Sequence, residues 1–536
     1  MSVGVQAPRG VLAPARERGG DVRDWGVIVA PAVLAAALSL IGLSGRSLGF
    51  DEGATASIAA QHGSALWHAI AHDGGNMSGY YLVMHVLVSV FGNGIVVLRL
   101  PSVIATVATV ALIALIARRL FGERSVTLVA GGLAAVSLPL IYWAQTARGY
   151  AAMVAFVCAG FLAFITLADP RRDVPRRGLS AARGRGPWLA YVAAMTLAMY
   201  CSFVAVLVVP VHLLALIGRR RGDAARRVGS ALVAVAILCI PLAVLAVRRG
   251  SGQLFWVQPP SSMVDTQVLQ SLTSSGLAPV FHHSATTKAL MWFTIAAVMA
   301  LAVDTIRRGR RGEPVWAMTL VLGWCVLPAG VTFLYSLVSQ PVFVPRNVLV
   351  STPAVALAFA PVIADRRWPR WAAAALLLAV LVARAVPVIR AYDVSPEPWR
   401  AVTAHVLAQA RPGDCIAFYP ADARMAFQYY VGTGPATRRA PRSVLPVVPW
   451  GAVRPHVEDY VVPAPDVLSR RTRGCGRMWL VSSHEGQPNG PAVARAHRAR
   501  WLALSAALQR RFGSAPAVKH GYASVIHVQL MPGSRR

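Results

Sequence analysis

Lysine is almost missing from this chain of 536 residues: of its 53 basic residues only Lys288 and Lys519 are lysines. Charge of any kind is scarce, at 14% of residues, where a soluble chain carries about 25%. With 56% of residues hydrophobic and a mean hydropathy of +0.53, there is too little polar surface to solvate a globule of this size. Six cysteines in so long a chain exclude a small disulfide-stapled scaffold, and the apolar content excludes disorder and collagen-like repeats. Acids are the scarcest charge, 22 against 53 bases, giving a net charge of +31. A nucleic-acid binder would gather that excess on one soluble face, whereas here the arginines fall in clumps between apolar runs. That placement marks cytoplasmic anchors of membrane spans and excludes nucleic acid as a partner.

What the chain has is long apolar runs, repeated from residue 25 to residue 390. A span needs roughly 20 mostly apolar residues, and the runs near 25–45, 95–117, 125–145, 150–168, 228–247, 288–306, 314–336, 347–364 and 371–388 meet or approach that. The run at 187–217 is too long for one upright span and is flanked by arginines on both sides, so it reads as a hairpin turning near Cys201–Ser202. The run at 77–92 is short and contains His85. If it lies in the outer interface, all six arginine clusters fall on one side, 25 basic residues against eight outside. This gives an α-helical polytopic membrane protein of about 11 transmembrane helices in a plasma (inner) membrane, N-terminus cytoplasmic and C-terminus outside. Residues 1–24 read as a disordered cytoplasmic tail, and Trp25–Ser44 as a retained first span, being long for a signal-peptide core.

After residue 390 the character changes. Residues 391–536 hold short apolar strands such as CIAFY and RMWLVSS alternating with helical stretches (WRAVTAHVLAQA, ARMAFQYYV and 491–511), the pattern of a small extracytoplasmic α/β domain. Cys415 and Cys475 lie there and are free to pair outside the cytoplasm; Cys158, Cys201, Cys239 and Cys325 sit in apolar runs as packing residues.

This topology leaves four acids of the 25–390 region on the outer side: Asp51, Glu52, Asp73 and Asp265. Three lie in the outer loop at 46–94, and a second outer loop covers 248–287 with FWVQPP. Asp51 and Glu52 directly follow a span end, where they suit a helix N-cap and first-turn acid, and equally a catalytic pair in which one carboxylate is a base. His68 and His72, four apart, are the one candidate pair for a divalent metal, without an HExxH motif or cysteine; His282–His283 carry the same discount. No other cofactor signal is present. Tyr80, Tyr81 and His85 line a groove or anchor their helix among headgroups. Arg148 and Arg346 each border a span, and their planar guanidinium forks match a lipid phosphate; snorkelling to the interface is the plain alternative.

The ordered set of these features resembles a family. It comprises the carboxylate pair after the first span, the Tyr80–Tyr81 helix ending in Phe91–Gly92, Arg99-Leu-Pro-Ser102, the RRLFG run at 118–122, Trp143-Ala-Gln-Thr-Ala-Arg148-Gly-Tyr150, and Pro345–Arg346. Over residues 25–390 it resembles the GT-C superfamily of membrane glycosyltransferases, in the family-39-like branch with protein O-mannosyltransferases and aminoarabinose transferases. The resemblance implies a polyprenyl-phosphate sugar donor, an extracytoplasmic glycan, lipid or protein acceptor, and transfer with inversion. It also implies Asp51 as general base beside Glu52, and Arg148 and Arg346 at the donor phosphate, with Tyr80, Tyr81, His85 and Asp73 along the groove. The chain departs from many relatives at Gln145–Thr146, Asn347 and Met77–Ser78–Gly79. Arginine in place of lysine fits a high-GC genome such as an actinobacterium, with mannose or arabinose donors. Two other readings remain open on the sequence: a lipid or sugar transporter or flippase, and a non-catalytic scaffold that binds a partner through residues 391–536.

Overall fold

The computed structural model describes residues 22–533 apart from 169–179, 218–221, 251–253, 255, 278–283, 366, 434–439, 451, 453–454, 456–458 and 522–524. The N-terminal tail to residue 21, the arginines at 171–177 and 219–221, and His282–His283 therefore lie outside the described residues.

Among the described residues five helices are long and apolar enough to cross a membrane: Ile95–Phe121, Tyr150–Leu167, Ala285–Arg310, Trp316–Val338 and Arg370–Ala391. Two bent pairs raise the number to seven: Arg124–Ala135 with Leu138–Ala144, at 56°, and Gly222–Leu238 with Ile240–Arg249, at 51°. Each second segment opens with a proline in its first turn, Pro139 or Pro241, which has no N–H to continue the preceding helix and a φ suited to starting a new one. Four shorter apolar helices are also present, Trp25–Leu40, Ser78–Phe91, Phe203–Ile217 and Leu349–Ile363. The chain is a multi-pass membrane protein; eleven crossings stand as the expectation from arginine placement. The 187–217 run is indeed interrupted: one helix ends at Cys201, and Ser202 caps the next by accepting from the Val204 N–H at 3.5 Å.

Helices at the rim of the bundle bury one face and leave an apolar face exposed. In Trp316–Val338, Trp324 and Val321 are buried while Val326, Leu334 and Val338 are exposed, as a lipid-facing helix requires. Three short helices, Phe50–Ala59, Gly63–His72 and Ser78–Phe91, carry the acidic loop. Gly74 and Gly75 take left-handed φ values of +74° and +77°, reversing the chain so that the third helix folds back on the first two. At 1.5 Å per residue the 14-residue Ser78–Phe91 helix is about 21 Å long, short of the roughly 30 Å hydrocarbon core. Its Val83, Val86, Val90 and Phe91 are exposed, but Tyr80 and Tyr81 are 3% and 0% exposed. The two tyrosines are thus core residues of the protein and not headgroup anchors, because they lie on the inward stripe of the helix.

The C-terminal segment contains a five-stranded sheet of β1 (Cys415–Tyr419), β2 (Arg442–Leu445), β3 (Met478–Ser482), β4 (Val518–His520) and β5 (Ile526–Met531), in the order β2-β1-β3-β5-β4. β1 runs parallel to β2 and β3, and β5 antiparallel to β3 and β4. β1 and β3 are buried on both faces, which is why they read as unbroken apolar runs. Ile416 and Phe418 face the helices Trp399–Gln409 and Ala423–Thr433; Cys415, Ala417 and Tyr419 face Pro465–Arg471 and Ala492–Phe512. Cys415 and Cys475 form a disulfide. The Phe50–Ala59 helix docks on Ala423–Thr433 so closely that Gly53 has no room for a Cβ beside Ala426.

Candidate functional site

The chain between the first helix and Phe50 is fixed from two directions. Gln145 Nε2 donates to the carbonyls of Ser39 and Ile41 at 3.1 and 2.6 Å, satisfying acceptors at the helix end. Arg46 donates to the carbonyls of Tyr142 and Gln145 at 3.1 and 2.8 Å and stacks on the Tyr142 ring. From the C-terminal segment, the Tyr430 hydroxyl accepts from the Leu48 N–H at 2.7 Å, Ser395 Oγ accepts from the Ser47 N–H at 2.8 Å, and Glu397 accepts from the Phe50 N–H. The start of the Phe50–Ala59 helix is therefore held by both parts of the protein.

Its N-cap is Gly49, not Asp51; Asp51 and Glu52 sit in the first turn, and Glu52 reaches back to accept from the Gly49 N–H at 3.2 Å. The two adjacent carboxylates then part ways. Glu52 faces inward and pairs with both arms of Arg99, each contact at 2.9 Å, while accepting from the Ala147 N–H at 2.8 Å. Both side chains are almost fully buried, and Arg99 completes its bonding on the carbonyls of Leu43, Arg46 and Ser47 at 2.8–3.2 Å. Burial opposes the charge on Glu52, but the Arg99 ion pair and hydrogen bonds, with Ala147 and Arg46, outweigh it and hold the carboxyl below its usual range. Through these contacts Glu52 braces the helix start.

Asp51 faces the other way and is 42% exposed. Its Oδ2 lies 3.3 Å from Arg346 and 3.9 Å from the Nε of Arg148. Burial again opposes ionisation, but Arg148, Arg346 and then His484 overcome it, so the carboxyl titrates below the usual carboxylate range. Arg148 is 7% exposed; it donates to the Tyr81 hydroxyl at 3.0 Å, and Tyr81 in turn donates to Asp73 at 2.9 Å. The Nε–H of Arg148 is buried without a hydrogen-bond partner among the described residues. A guanidinium held in place with an unspent donor beside a carboxylate is a site prepared for an anion's oxygen. Gly149 follows because a Cβ there would meet the Cys201 carbonyl oxygen at 2.4 Å. Arg346 is 28% exposed and stacks on Trp256 with its guanidinium carbon 4.2 Å from the ring centroid. A cavity of about 130 Å3 runs along Ser47, Phe50, Asp51, Tyr142, Trp143 and Glu397.

The structure thus brings together Asp51, Arg148, Arg346, Tyr81 and Asp73 from distant parts of the chain. Tyr80 stands behind them, 3.4 Å from Ser102 Oγ, and His85 bonds the Ala59 carbonyl at 2.9 Å, so neither reaches the arginines. His68 and His72 form no ligand set: among the described residues no three His, Cys, Asp or Glu side chains are placed to share a metal, His68 is exposed, and His72 faces Asp459 at 3.0 Å. Three participants have contacts that the sequence does not show. Arg99 stands in the Arg99–Ser102 motif and Trp256 in FWVQPP, but neither motif gives a local signal of its partner, and His484, from the segment after β3, carries no motif.

A family model described as dolichyl-phosphate-mannose-protein mannosyltransferase matches residues 79–246. No sequence among the curated proteins matches the chain. Among solved structures, ArnT from Cupriavidus metallidurans in the apo state is similar with a TM-score of 0.58 at 14% identity, over 94% of this chain and 98% of that one. The same protein bound to undecaprenyl phosphate gives a TM-score of 0.53 at 14% identity over the same shares. The archaeal oligosaccharyltransferase AglB from Archaeoglobus fulgidus, in complex with an inhibitory peptide and a dolichol-phosphate, gives 0.53 at 12% identity, over 87% of this chain and 70% of that one. The fold is the one these ArnT and AglB structures share, as the ordered motifs led us to expect.

Proposed function

We propose that the chain transfers a sugar from a polyprenyl-phosphate donor to an acceptor on the extracytoplasmic side, with inversion and with Asp51 as general base. One observation carries this reading: a solvent-reachable Asp51 lies between two arginines, one of them buried with an N–H that has no hydrogen-bond partner among the described residues. Transfer from a lipid phosphate has modest chemical demands. The leaving group departs as a stable anion, so the site must supply cations for that charge and a base for the incoming hydroxyl.

In the proposed step the acceptor oxygen attacks the anomeric carbon from the face opposite the phosphate. The bond from that carbon to the phosphate oxygen breaks, and the acceptor proton passes to Asp51. Arg148 and Arg346 stabilise the departing polyprenyl phosphate, while Tyr81 and Asp73 hold Arg148 in place. The undecaprenyl phosphate and dolichol-phosphate in the ArnT and AglB structures are consistent with such a donor. The Cys415–Cys475 disulfide favours an oxidising compartment for residues 391–536, in keeping with a C-terminus outside.

The test is purified protein in nanodiscs with radiolabelled polyprenyl-phosphate mannose and polyprenyl-phosphate arabinose. Wild type should release or transfer label, Asp51→Asn should lose at least a thousandfold in rate at normal expression, and Arg346→Ala should raise the donor KM. Equal turnover by Asp51→Asn would remove the base assignment; no donor turnover by wild type with any acceptor would remove the reaction itself.

A further inference from the structure

A cavity beside the site has no part in the chemistry above. Of about 420 Å3, it is walled by three segments far apart in sequence: the second outer loop, the turn before Arg346, and the C-terminal sheet. Trp256 is shared, since Arg346 stacks on its ring and Trp256 also lines the cavity. His484 is the second link: it lines the cavity, and its ring packs 4.8 Å from that of Phe50, the residue before Asp51. The cavity is therefore joined to the Asp51 site through two of its wall residues, Trp256 by way of Arg346 and His484 by way of Phe50.

The polar lining has a definite character. Gln258, Gln267 and Gln487 present side-chain amides, each both donor and acceptor, together with His484 and His527. The one carboxylate, Glu485, is already committed: it accepts from Ser482 and faces His527, both at 2.6 Å, and pairs with Arg498 at 2.6 Å. Among the described residues no arginine or lysine lines the wall, which disfavours an anionic headgroup there. Groups that both donate and accept, beside an aromatic face and within a volume typical of small-ligand sites, match hydroxyls on a neutral sugar ring.

We propose that this cavity is the acceptor subsite and that the acceptor is a neutral, hydroxyl-rich saccharide, held by Gln258 and Gln487 so that one hydroxyl meets Asp51. The proposal rests on the glycosyltransferase reading and names its acceptor class. The new bond joins a saccharide oxygen to the donor's anomeric carbon; the hydroxyl proton goes to Asp51 and then to water, and polyprenyl phosphate leaves. The C-terminal segment on this account selects the acceptor, through Gln487 and His484, while the bundle binds the donor.

The experiment uses the full chain in nanodiscs with mannotetraose, arabinotetraose and a serine- and threonine-rich peptide as acceptors. Saturable binding is followed by Trp fluorescence and transfer by label. We expect a tetrasaccharide to bind and to accept sugar. Gln258→Ala and Gln487→Ala should each raise its KM at least tenfold with kcat within about twofold, and Asp51→Asn should abolish transfer while keeping the binding. Gln258 is exposed, so its loss does not threaten folding, and wild-type melting of both variants is checked first. Transfer to the peptide alone, no tetrasaccharide binding, or an unchanged KM in both glutamine variants would overturn the proposal. Glutamine-dependent tetrasaccharide binding by a protein that consumes no donor would instead sink the glycosyltransferase reading and leave the saccharide site standing.

Discussion

Arg346 rests 3.3 Å from Asp51, so the cation we propose for the donor phosphate is paired with the carboxylate we propose as base. The same carboxylate has the Arg148 Nε at 3.9 Å. A bound phosphate would compete for both guanidiniums, because it offers more oxygens and more charge than one carboxylate. Donor binding then frees Asp51 from the pairing that makes it a weak base.

This exchange predicts two different acid limbs. In the free protein Arg148, Arg346 and His484 hold Asp51 low against the opposing effect of burial, so kcat/KM should fall only below the usual carboxylate range. In the donor complex the arginines are shared and an anion stands nearby, both of which raise the carboxyl. The acid limb of kcat should therefore lie at higher pH than that of kcat/KM, by about one unit or more for a loss of one close ion pair. Coincident limbs in the two profiles would show that the arginines do not leave Asp51.

Glu52 and Arg99 predict a stability effect with a definite sign. The Glu52 carboxyl is held below its ordinary value of 4.5, so the pair's contribution is fully present above that pH and fades as pH falls through the lower folded value. Glu52→Gln leaves Arg99 buried opposite a neutral group, and breaking such a pair costs about 3–5 kcal/mol. Thermal unfolding of the detergent-solubilised variant at neutral pH should show the full loss, with the gap to wild type narrowing as pH is lowered below about 4.5. A variant as stable as wild type at neutral pH would mean that the brace is not needed.

How far the sequence foretold this arrangement depends on the range of the interaction. Apolar runs, the short 77–92 helix and the strands CIAFY and RMWLVSS were legible because burial patterns are local and periodic. Asp51, Arg148 and Arg346 were legible as rare charges beside spans, and the bundle brings them together. The difference between Asp51 and Glu52 was not, since adjacent residues on a helix point about 100° apart and only Arg99, 47 residues on, reveals which faces inward. Tyr80 and Tyr81 misled for a related reason: composition marks an amphipathic helix, but not which stripe the rest of the fold will cover. His484 left no trace, because its role depends on how a separate sheet docks.

The disulfide gives a third test, of compartment and stability together. Cys415 and Cys475 are 60 residues apart, and closing a loop of that length restricts the unfolded chain by about 4 kcal/mol. Protein alkylated in intact cells should gain two further labels only after reduction, and Cys475→Ser should unfold the C-terminal segment at lower temperature. Full labelling without reduction would contradict an extracytoplasmic position for that segment.

Gly53 offers a test in which propensity and packing predict opposite signs. Alanine is favoured over glycine inside a helix by about 1 kcal/mol, so Gly53→Ala on an open helix face would stabilise. Here a Cβ would lie 2.6 Å from the Ala426 Cα and 2.7 Å from its N, and backbone cannot rotate away as a side chain can. Overpacking of this kind costs about 1–3 kcal/mol, enough to outweigh the helix gain or to push the two helices apart. Asp51 is two residues away on the same short helix, so the displacement should reach its pairing with Arg346. We expect Gly53→Ala to lower kcat at least tenfold, and Gly53→Val more, with protease sensitivity rising in the 391–398 connection. An alanine variant that is more stable and fully active would show that the docking of these two helices does not set the position of the base.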